Sequence, residues 1–310
     1  MFQKISNTIF NWVNNSFPWT NVYGLARTII ALSTALTLAL NNATTLFKPG
    51  VGMPEYPICN NSFSIFCIVP NTYFWLNIVR WLCVVILLLI ASGWRPRITA
   101  IFHWWISYSL QLSALTLDGG EQAASVLTLL ILPIALTDPR RSHWEKSSRY
   151  KRESNLYTKT IALVSFNIIR IQVAIIYFSS TISKLHDDEW INGTAVYYYL
   201  QEPMLGLNPI LMKLAQPVLS SWLIVLPTWG TLIIQTILFA SLLAPKKYWK
   251  YILICALLMH EVFAIMLGLI SFSMVMCAAL ILYLRPKEQE YRFSFLRRKV
   301  NNIAPLKEVK

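Results

Sequence analysis

The sequence predicts an all-α, polytopic integral membrane protein with about eight transmembrane helices and both termini in the cytoplasm. Three observations support this fold class. The 310 residues are 55% hydrophobic and only 13% charged, whereas about a quarter of a soluble domain is charged. Several apolar runs reach the roughly 20 residues that one crossing needs. The net charge is +13, but the basic residues form short blocks between apolar runs, which is typical of membrane proteins and argues against a nucleic acid partner.

The transmembrane domain is predicted at residues 21–284, after an amphipathic segment at 1–20 whose aromatic rings suit the lipid headgroup region. The first helix is predicted at about 24–40. Four of its polar residues recur at spacings of seven, three and four, so they share one helical face that should point into the bundle. These residues are Arg27, Thr34, Thr37 and Asn41.

Residues 42–72 are predicted to be an external loop, which contains Cys59 and Cys67. A disulfide can persist outside the cell, so we expect these two cysteines to form a structural link. Thiol exchange is the alternative, although the sequence contains no Cys-x-x-Cys. The next three helices are predicted at about 73–92, 98–117 and 122–137. The third of the eight presents His103, Ser107 and Gln111 on one face.

A fifth helix is predicted at about 160–183, after the basic loop 138–159. Five of its polar residues share one face: Asn167, Arg170, Tyr177, Thr181 and Lys184. Residues 185–217 are too polar and too rich in proline to cross, so they predict an external or re-entrant segment.

The sixth helix is predicted at about 218–243. The apolar run 251–284 is too long for one crossing and should fold at Gly268 into two helices. Residues 285–310 predict a basic cytoplasmic tail. With eight crossings, nearly all the basic residues outside the helices face the cytoplasm, as the positive-inside rule requires.

Lys184 lies at the mouth of the fifth helix, directly before a polar stretch and Trp190. Ionisable groups in such places usually mark a pathway or a reacting site. We therefore consider Lys184 as a proton acceptor or as an anchor for substrate. The alternative is a lysine that extends to the membrane surface and pairs with Asp187 or Asp188. Consecutive polar residues diverge along a chain, so we expect no metal site at residues 186–189.

His260 and Glu261 lie inside the seventh predicted helix. The sequence is not His-Glu-x-x-His, which excludes the zinc protease motif. They are candidates for an acid/base pair in a cavity, and an interhelical hydrogen bond is the alternative. A carboxylate in a membrane helix needs a partner, for which we expect Arg170 or Arg80. Since Arg170 shares a face with Lys184, we also expect Arg170 to bind substrate.

Three passages resemble known families. The opening of the first helix, Asn21-Val22-Tyr23-Gly24-Leu25-Ala26-Arg27-Thr28, resembles that of sporulation-delaying protein B and its relatives. The passage with Lys184, Leu185, Asp188, Trp190 and Gly193 resembles the central motif of the horizontally transferred transmembrane domain family. That family includes the membrane part of vitamin K-dependent gamma-carboxylase. His260, followed by Phe272, resembles the histidine-bearing helix of that carboxylase.

The first resemblance implies a multi-pass protein of the bacterial cell membrane that matures a secreted peptide toxin, or bacteriocin, from its precursor. It implies a partner similar to sporulation-delaying protein A. The carboxylase uses a lysine to deprotonate a quinol, so the second implies that Lys184 and His260 are catalytic, and a quinone is the cofactor it suggests. Tyr177, Trp190, Arg170 and Glu261 would then bind substrate. Two alternatives remain open, a non-catalytic peptide exporter or receptor and a quinol-linked, carboxylase-like oxidoreductase.

Overall fold

The computed structural model describes residues 2–50, 52, 56–59, 63–115, 117–147, 155–203 and 206–291. Within these ranges the chain forms helices and no strand, which confirms the predicted all-α class. The helices before the middle of the chain are α1 (Phe2–Asn15), α2 (Asn21–Leu40), α3 (Ala43–Leu46), α4 (Tyr73–Ala91), α5 (Pro96–Ser113) and α6 (Gly119–Leu136). Those that follow are α7 (Leu156–Lys184), α8 (Asp188–Ile191), α9 (Ala195–Gln201), α10 (Pro209–Leu219), α11 (Val225–Ala240), α12 (Lys246–Leu267) and α13 (Ile270–Leu284).

Six helices in the described ranges are long and apolar enough to cross a membrane: α2, α4, α6, α7, α11 with the 3-10 turn before it, and α12. The two other predicted crossings correspond to α5 and α13. Helix α5 carries Arg97, His103 and Gln111, which lower its hydropathy, and α13 has only 15 residues. Eight crossings with both termini in the cytoplasm therefore stay a prediction.

Helix α13 is the central helix of the bundle. It contacts α2, α6, α7 and α12, and every residue from 278 to 284 is buried. A helix that is apolar all round belongs in such an interior position. Its length of about 22 Å is less than the roughly 30 Å of a bilayer core. Because other helices surround α13, that shortfall exposes little of its backbone to lipid.

Helix α2 divides the interior into two hydrophobic clusters. Val22, Ala26 and Ile30 pack into a cluster with α6, α7, α12 and α13. Ala35 and Leu38 pack into another with α4, α5 and the residues around Phe66. The expectation that the polar face of α2 points inward is confirmed for Arg27 and Thr34, which are fully buried.

Several helix ends have clear local causes. Helix α7 begins earlier than predicted, because the Asn155 side chain accepts a hydrogen bond from the Tyr157 amide as an N-cap. Helix α12 ends where the sequence predicts, at Gly268, whose φ of +70° suits glycine. Helix α6 begins at Gly119 and therefore includes Glu121, which the sequence assigned to the preceding turn.

The predicted external segment 185–217 contains α8, α9 and most of α10, which continues to Leu219. In the predicted loop 42–72, a disulfide joins Cys59 and Cys67, with their Cα atoms 5.8 Å apart. Residues 148–154 of the basic loop and 292–310 of the basic tail lie outside the described residues. We refer below to the end of the bundle where α7 ends as the Lys184 end, and to the opposite end as the His143 end.

Candidate functional site

Lys184 is half-buried at the last turn of α7. Its Nζ donates a hydrogen bond to Ser180 Oγ at 2.7 Å and lies 5.2 Å from the centre of the Trp190 ring. The ion pair with Asp187 or Asp188, which the alternative interpretation required, does not form among the described residues. Asp187 instead caps α8 by accepting from the Glu189 amide. The ammonium is thus held by a hydroxyl and an aromatic face, and Asp187 serves as a helix cap.

Ser180 connects Lys184 to α11. Its hydroxyl accepts from Lys184 and donates to Gln235 Oε1 at 3.3 Å. Gln235 is buried, as are Thr228 and Thr231 on the same helix. The contact between α7 and α11 is therefore a polar seam at this end of the bundle, and it places the lysine within a hydrogen-bonded row instead of against lipid alone.

Tyr177 and His260 meet two turns below Lys184, about 10 Å along the axis of α7. The Tyr177 hydroxyl lies 2.9 Å from His260 Nε2, and both side chains are buried. The rings of Phe263 and Phe272 pack on the imidazole, with centroid distances of 5.9 and 5.6 Å. Two helices that are distant in sequence thus bring together two of the predicted site residues.

His260 Nδ1 is buried and has no hydrogen-bond partner. If Tyr177 donates to Nε2, then Nδ1 carries a proton without an acceptor. If Nε2 donates to Tyr177, then Nδ1 is an acceptor without a donor. Either arrangement leaves one buried polar atom unpaired, which is costly. Such an atom is a natural place for a substrate group or a water molecule to bind.

Arg170 does not join this group. It lies 14 residues before Lys184 on α7, about 21 Å along the helix axis. Its Nε donates to the Tyr283 carbonyl at 3.2 Å, and its guanidinium lies 4.4 Å from the centre of the Trp249 ring. Asn167, predicted on the same inward face, is exposed. Arg170 therefore connects α7 to α12 and α13 toward the His143 end, away from the lysine.

The predicted counter-ion of Glu261 is wrong. Glu261 is exposed, and its carboxylate accepts from Ser273 Oγ at 3.5 Å and from Cys277 Sγ at 3.6 Å. Neither Arg170 nor Arg80 pairs with it within the part of the chain that the structure describes. Arg80 instead donates to main-chain carbonyl groups at the end of α2. Adjacent residues on a helix point about 100° apart, so burial of His260 turns Glu261 outward.

Glu121 is a buried carboxylate that the sequence analysis missed. It is 1% exposed and accepts hydrogen bonds from Thr37 at 2.6 Å and Thr34 at 3.2 Å. No cation of the described residues forms an ion pair with it. The inward polar face of α2 is a signal that could have suggested a polar partner, but Glu121 follows Asp118 and two glycines, a sequence typical of a solvated turn. Helices α2 and α13 cover this turn, and Ser271 of α13 donates to Asp118 at 2.6 Å.

A second buried polar cluster, at the His143 end, was also missed. The loop after α6 folds into the bundle, where Arg140 and Asp138 form an ion pair of 2.8 Å with both side chains buried. The Tyr23 hydroxyl donates to the same carboxylate. His143 is fully buried and lies in a notch between Gly24 and Gly93, where any Cβ atom would be 3.0 Å or less from its ring.

The hydrogen bonds of His143 define its tautomer. Thr28 Oγ1 donates to the Ala91 carbonyl at 3.0 Å, so it accepts from His143 Nε2 at 3.2 Å. The other nitrogen, Nδ1, then accepts from Arg27 Nη1 at 3.4 Å. Burial, together with the nearby Arg27, Arg140 and His103, lowers the pKa of His143 to about 2. The imidazole is therefore neutral.

This cluster explains the passage from Asn21 to Thr28. Asn21 makes two hydrogen bonds to the main chain of Tyr291, at 2.8 and 2.9 Å. Tyr23 bonds to Asp138, Gly24 leaves space for His143, and both Arg27 and Thr28 contact the imidazole. Every residue in the passage that stands out by sequence thus holds a loop or a chain end against α2. Its role here is structural, and it lies at the opposite end from Lys184.

Comparisons with known proteins give two relatives. The chain is 51% identical to YitO of Bacillus subtilis (strain 168) over 298 residues, which are 96% of each chain. It is 38% identical to the sporulation-delaying protein SdpB of the same organism over 288 residues, which are 92% of this chain and 88% of that one. No protein-family model matches. No solved structure matches either.

Proposed function

The chain belongs to the family of the sporulation-delaying protein SdpB, and on that premise we propose that it acts in the membrane-embedded maturation of a secreted peptide toxin. The precursor of the toxin is its substrate, and a protein similar to sporulation-delaying protein A is its partner. Maturation here means processing or modification of the peptide. The protein works in the bacterial cell membrane, and six apolar helices support that location.

The observation that carries this proposal is the arrangement of polar groups along the end of α7. The Tyr177–His260 pair, with its unpaired Nδ1, lies two turns below the half-buried ammonium of Lys184. Helix α11 completes the row through Gln235. Polar and ionisable groups inside a membrane are costly, and they commonly mark sites of binding or proton transfer.

Each side chain has a distinct proposed role. Lys184 uses two N–H groups on Ser180, through its hydroxyl and its carbonyl, so the third is free to hold an acceptor such as a peptide carboxylate. Trp190 forms the wall beside it. Tyr177 and His260 exchange a proton with the bound group through their shared hydrogen bond. These roles concern substrate binding and proton transfer and require no metal.

Mass spectrometry of the peptide made with and without this protein tests the proposal. Cells that express the precursor and the partner should secrete a peptide whose mass changes when this protein is omitted. An unchanged mass, with the peptide retained inside the cell, would contradict maturation and favour an exporter. A quinone that repeatedly co-purifies with the gently extracted protein would instead favour the carboxylase-like oxidoreductase.

A further inference from the structure

A polar cavity of about 150 Å³ lies at the His143 end of the bundle, opposite the site at Lys184. Its walls come from the corner between α1 and α2, the loop before α7, the first turn of α7 and the residues after α13. The lining residues that matter here are Asn14, Thr20, Ser147, Lys159, Glu288 and Glu290. The cavity has about the volume of five water molecules.

Thr20 contributes an unpaired hydroxyl to this cavity. It is the N-cap residue of α2, yet its side chain makes no capping hydrogen bond. The residue is 3% exposed, and Oγ1 has no hydrogen-bond partner. An N-cap threonine usually accepts a hydrogen bond from the first turn of its helix. Here the hydroxyl is free to donate into the cavity, next to the positive end of the α2 dipole.

Lys159 contributes a buried positive charge. It is 6% exposed, and its Nζ contacts the Asn14 carbonyl at 3.5 Å. Among the described residues, no carboxylate lies within ion-pair distance of it. An ammonium has three donors, and burying it without a counter-charge is costly. The ammonium is therefore in direct contact with no carboxylate of the described residues, although Glu288 and Glu290 line the same cavity.

Each of the two carboxylates of the cavity has a contact other than Lys159. Glu290 accepts from the Ser147 amide at 3.4 Å, and Glu288 pairs with Lys287 at 4.0 Å. The cavity thus also holds a hydroxyl without a hydrogen-bond partner at a helix N-terminus, and an ammonium whose one hydrogen bond among the described residues is to the Asn14 carbonyl. These are the groups that bind phosphate in proteins.

We propose that this cavity binds a phosphate group, with Lys159 Nζ and the Thr20 hydroxyl as its donors. Helix α1, which leads to the cavity, is amphipathic and exposes Phe10 and Trp12. Such a helix lies at the level of lipid phosphates. A phospholipid headgroup and inorganic phosphate share the chemistry of the site, and the first fits this position better.

The full-length protein, purified in detergent and depleted of lipid, provides the test. Native mass spectrometry with added phosphatidylglycerol should show one tightly retained lipid in the wild type. Lys159→Gln and Thr20→Val should each weaken its retention about tenfold, while Lys146→Gln should not, because Lys146 is an exposed lysine of the neighbouring loop. In a second arm, inorganic phosphate is titrated against the thermal midpoint, with chloride at equal ionic strength as the control.

Loss of lipid retention in both variants supports a headgroup site. A thermal shift with inorganic phosphate that Lys159→Gln abolishes, without any effect on lipid, supports the same phosphate site with a free anion as its ligand. Retention and thermal shift that are identical in wild type, Lys159→Gln and Thr20→Val would overturn the proposal. Should Lys159→Gln fail to fold, Thr20→Val and Lys159→Arg decide, since the first must weaken binding and the second must preserve it.

Discussion

Individual side chains in this protein follow the cost of burying charge. Lys184 is half-buried, and its ammonium contacts Ser180 and the ring of Trp190. His260, in contrast, is buried next to Tyr177 and two phenylalanine rings. A half-buried lysine suits the capture of a charged group, whereas a buried, hydrogen-bonded pair suits the transfer of a proton. The proposed site therefore separates the two tasks, with Lys184 at the end of α7 and the Tyr177–His260 pair between α7 and α12.

His143 gives a prediction for pH dependence. Its pKa of about 2 in the folded protein is below the value of about 6.5 in an unfolded chain. As the pH falls below about 6.5, His143 becomes protonated in the unfolded chain but stays neutral in the folded protein. The free energy of unfolding should thus decrease by about 2 kcal/mol between pH 7 and pH 5. His143→Gln should remove this contribution. Thermal midpoints in detergent at pH 7, 6 and 5 measure it.

The control is His186→Gln, because His186 is exposed beyond the end of α7, so this variant removes a histidine without changing the buried cluster. An equal loss of thermal midpoint in wild type and His143→Gln between pH 7 and pH 5 would show that His143 is not buried as a neutral group.

At the scale of elements, α2 and the loop after α6 stabilise one another. Arg95 donates its amide to the Arg141 carbonyl at 2.8 Å, and the His143 amide donates to the Gly93 carbonyl at 3.1 Å. The loop thus joins the turn between α4 and α5 by main-chain hydrogen bonds and joins α2 by its side chains. A polar loop packs against helices in this way only when its backbone groups find partners.

Gly93→Ala should disrupt this contact. Gly93 has a φ of +86°, and an added Cβ would lie 2.6 Å from atoms of His143 and Trp144. Backbone strain and overpacking should together cost at least about 2 kcal/mol. We expect a lower thermal midpoint and a lower yield of monodisperse protein in size-exclusion chromatography.

Gly230→Ala is the matched substitution, because Gly230 lies within α11 and an added Cβ would meet nothing within 4 Å. It should leave the thermal midpoint unchanged or raise it, since alanine favours a helix by about 1 kcal/mol over glycine. Equal midpoints for the two alanine variants would contradict the proposed notch around His143.

The sequence predicted more of the helical framework than of the buried polar groups. The break at Gly268 was predictable, because an apolar run of that length cannot be one crossing and glycine ends helices. The resemblance implied that Tyr177 and His260 belong to one site, but their direct hydrogen bond was not predicted. Asp138 and Arg140 could not be recognised as buried, because a charged residue in a basic loop looks the same whether it is solvated or covered. Glu121 also looks like a solvated residue in the sequence. Its burial depends on the packing of α2 and α13 around the start of α6.

At the scale of the whole molecule, α5 and α13 decide the number of crossings, because α5 is polar on one face and α13 is short. Eight crossings place Leu115 and Lys213 outside the cell and Lys146 inside. Single cysteines at these positions should react accordingly with a membrane-impermeant maleimide in intact cells, after subtraction of the native cysteines. Leu115→Cys and Lys213→Cys should be labelled, and Lys146→Cys should react only after permeabilisation. Protection of Leu115→Cys alone would leave α5 and α6 without full crossings.

The proposed function depends on Lys184 and His260 acting on the peptide, and both have matched controls in the chain. Lys213 is an exposed lysine of the predicted external segment. His186 is an exposed histidine two residues after the end of α7. Cells with the precursor and the partner would carry the wild type, Lys184→Ala, His260→Gln, Lys213→Ala or His186→Gln, each at equal membrane abundance. The amount and mass of the secreted peptide would be measured.

The most direct test is the yield of mature peptide by mass spectrometry. Lys184→Ala and His260→Gln should each lower it at least tenfold with accumulation of the precursor, while Lys213→Ala and His186→Gln should match the wild type. Mature peptide at the wild-type level from folded Lys184→Ala protein would contradict the assignment of the site at the end of α7.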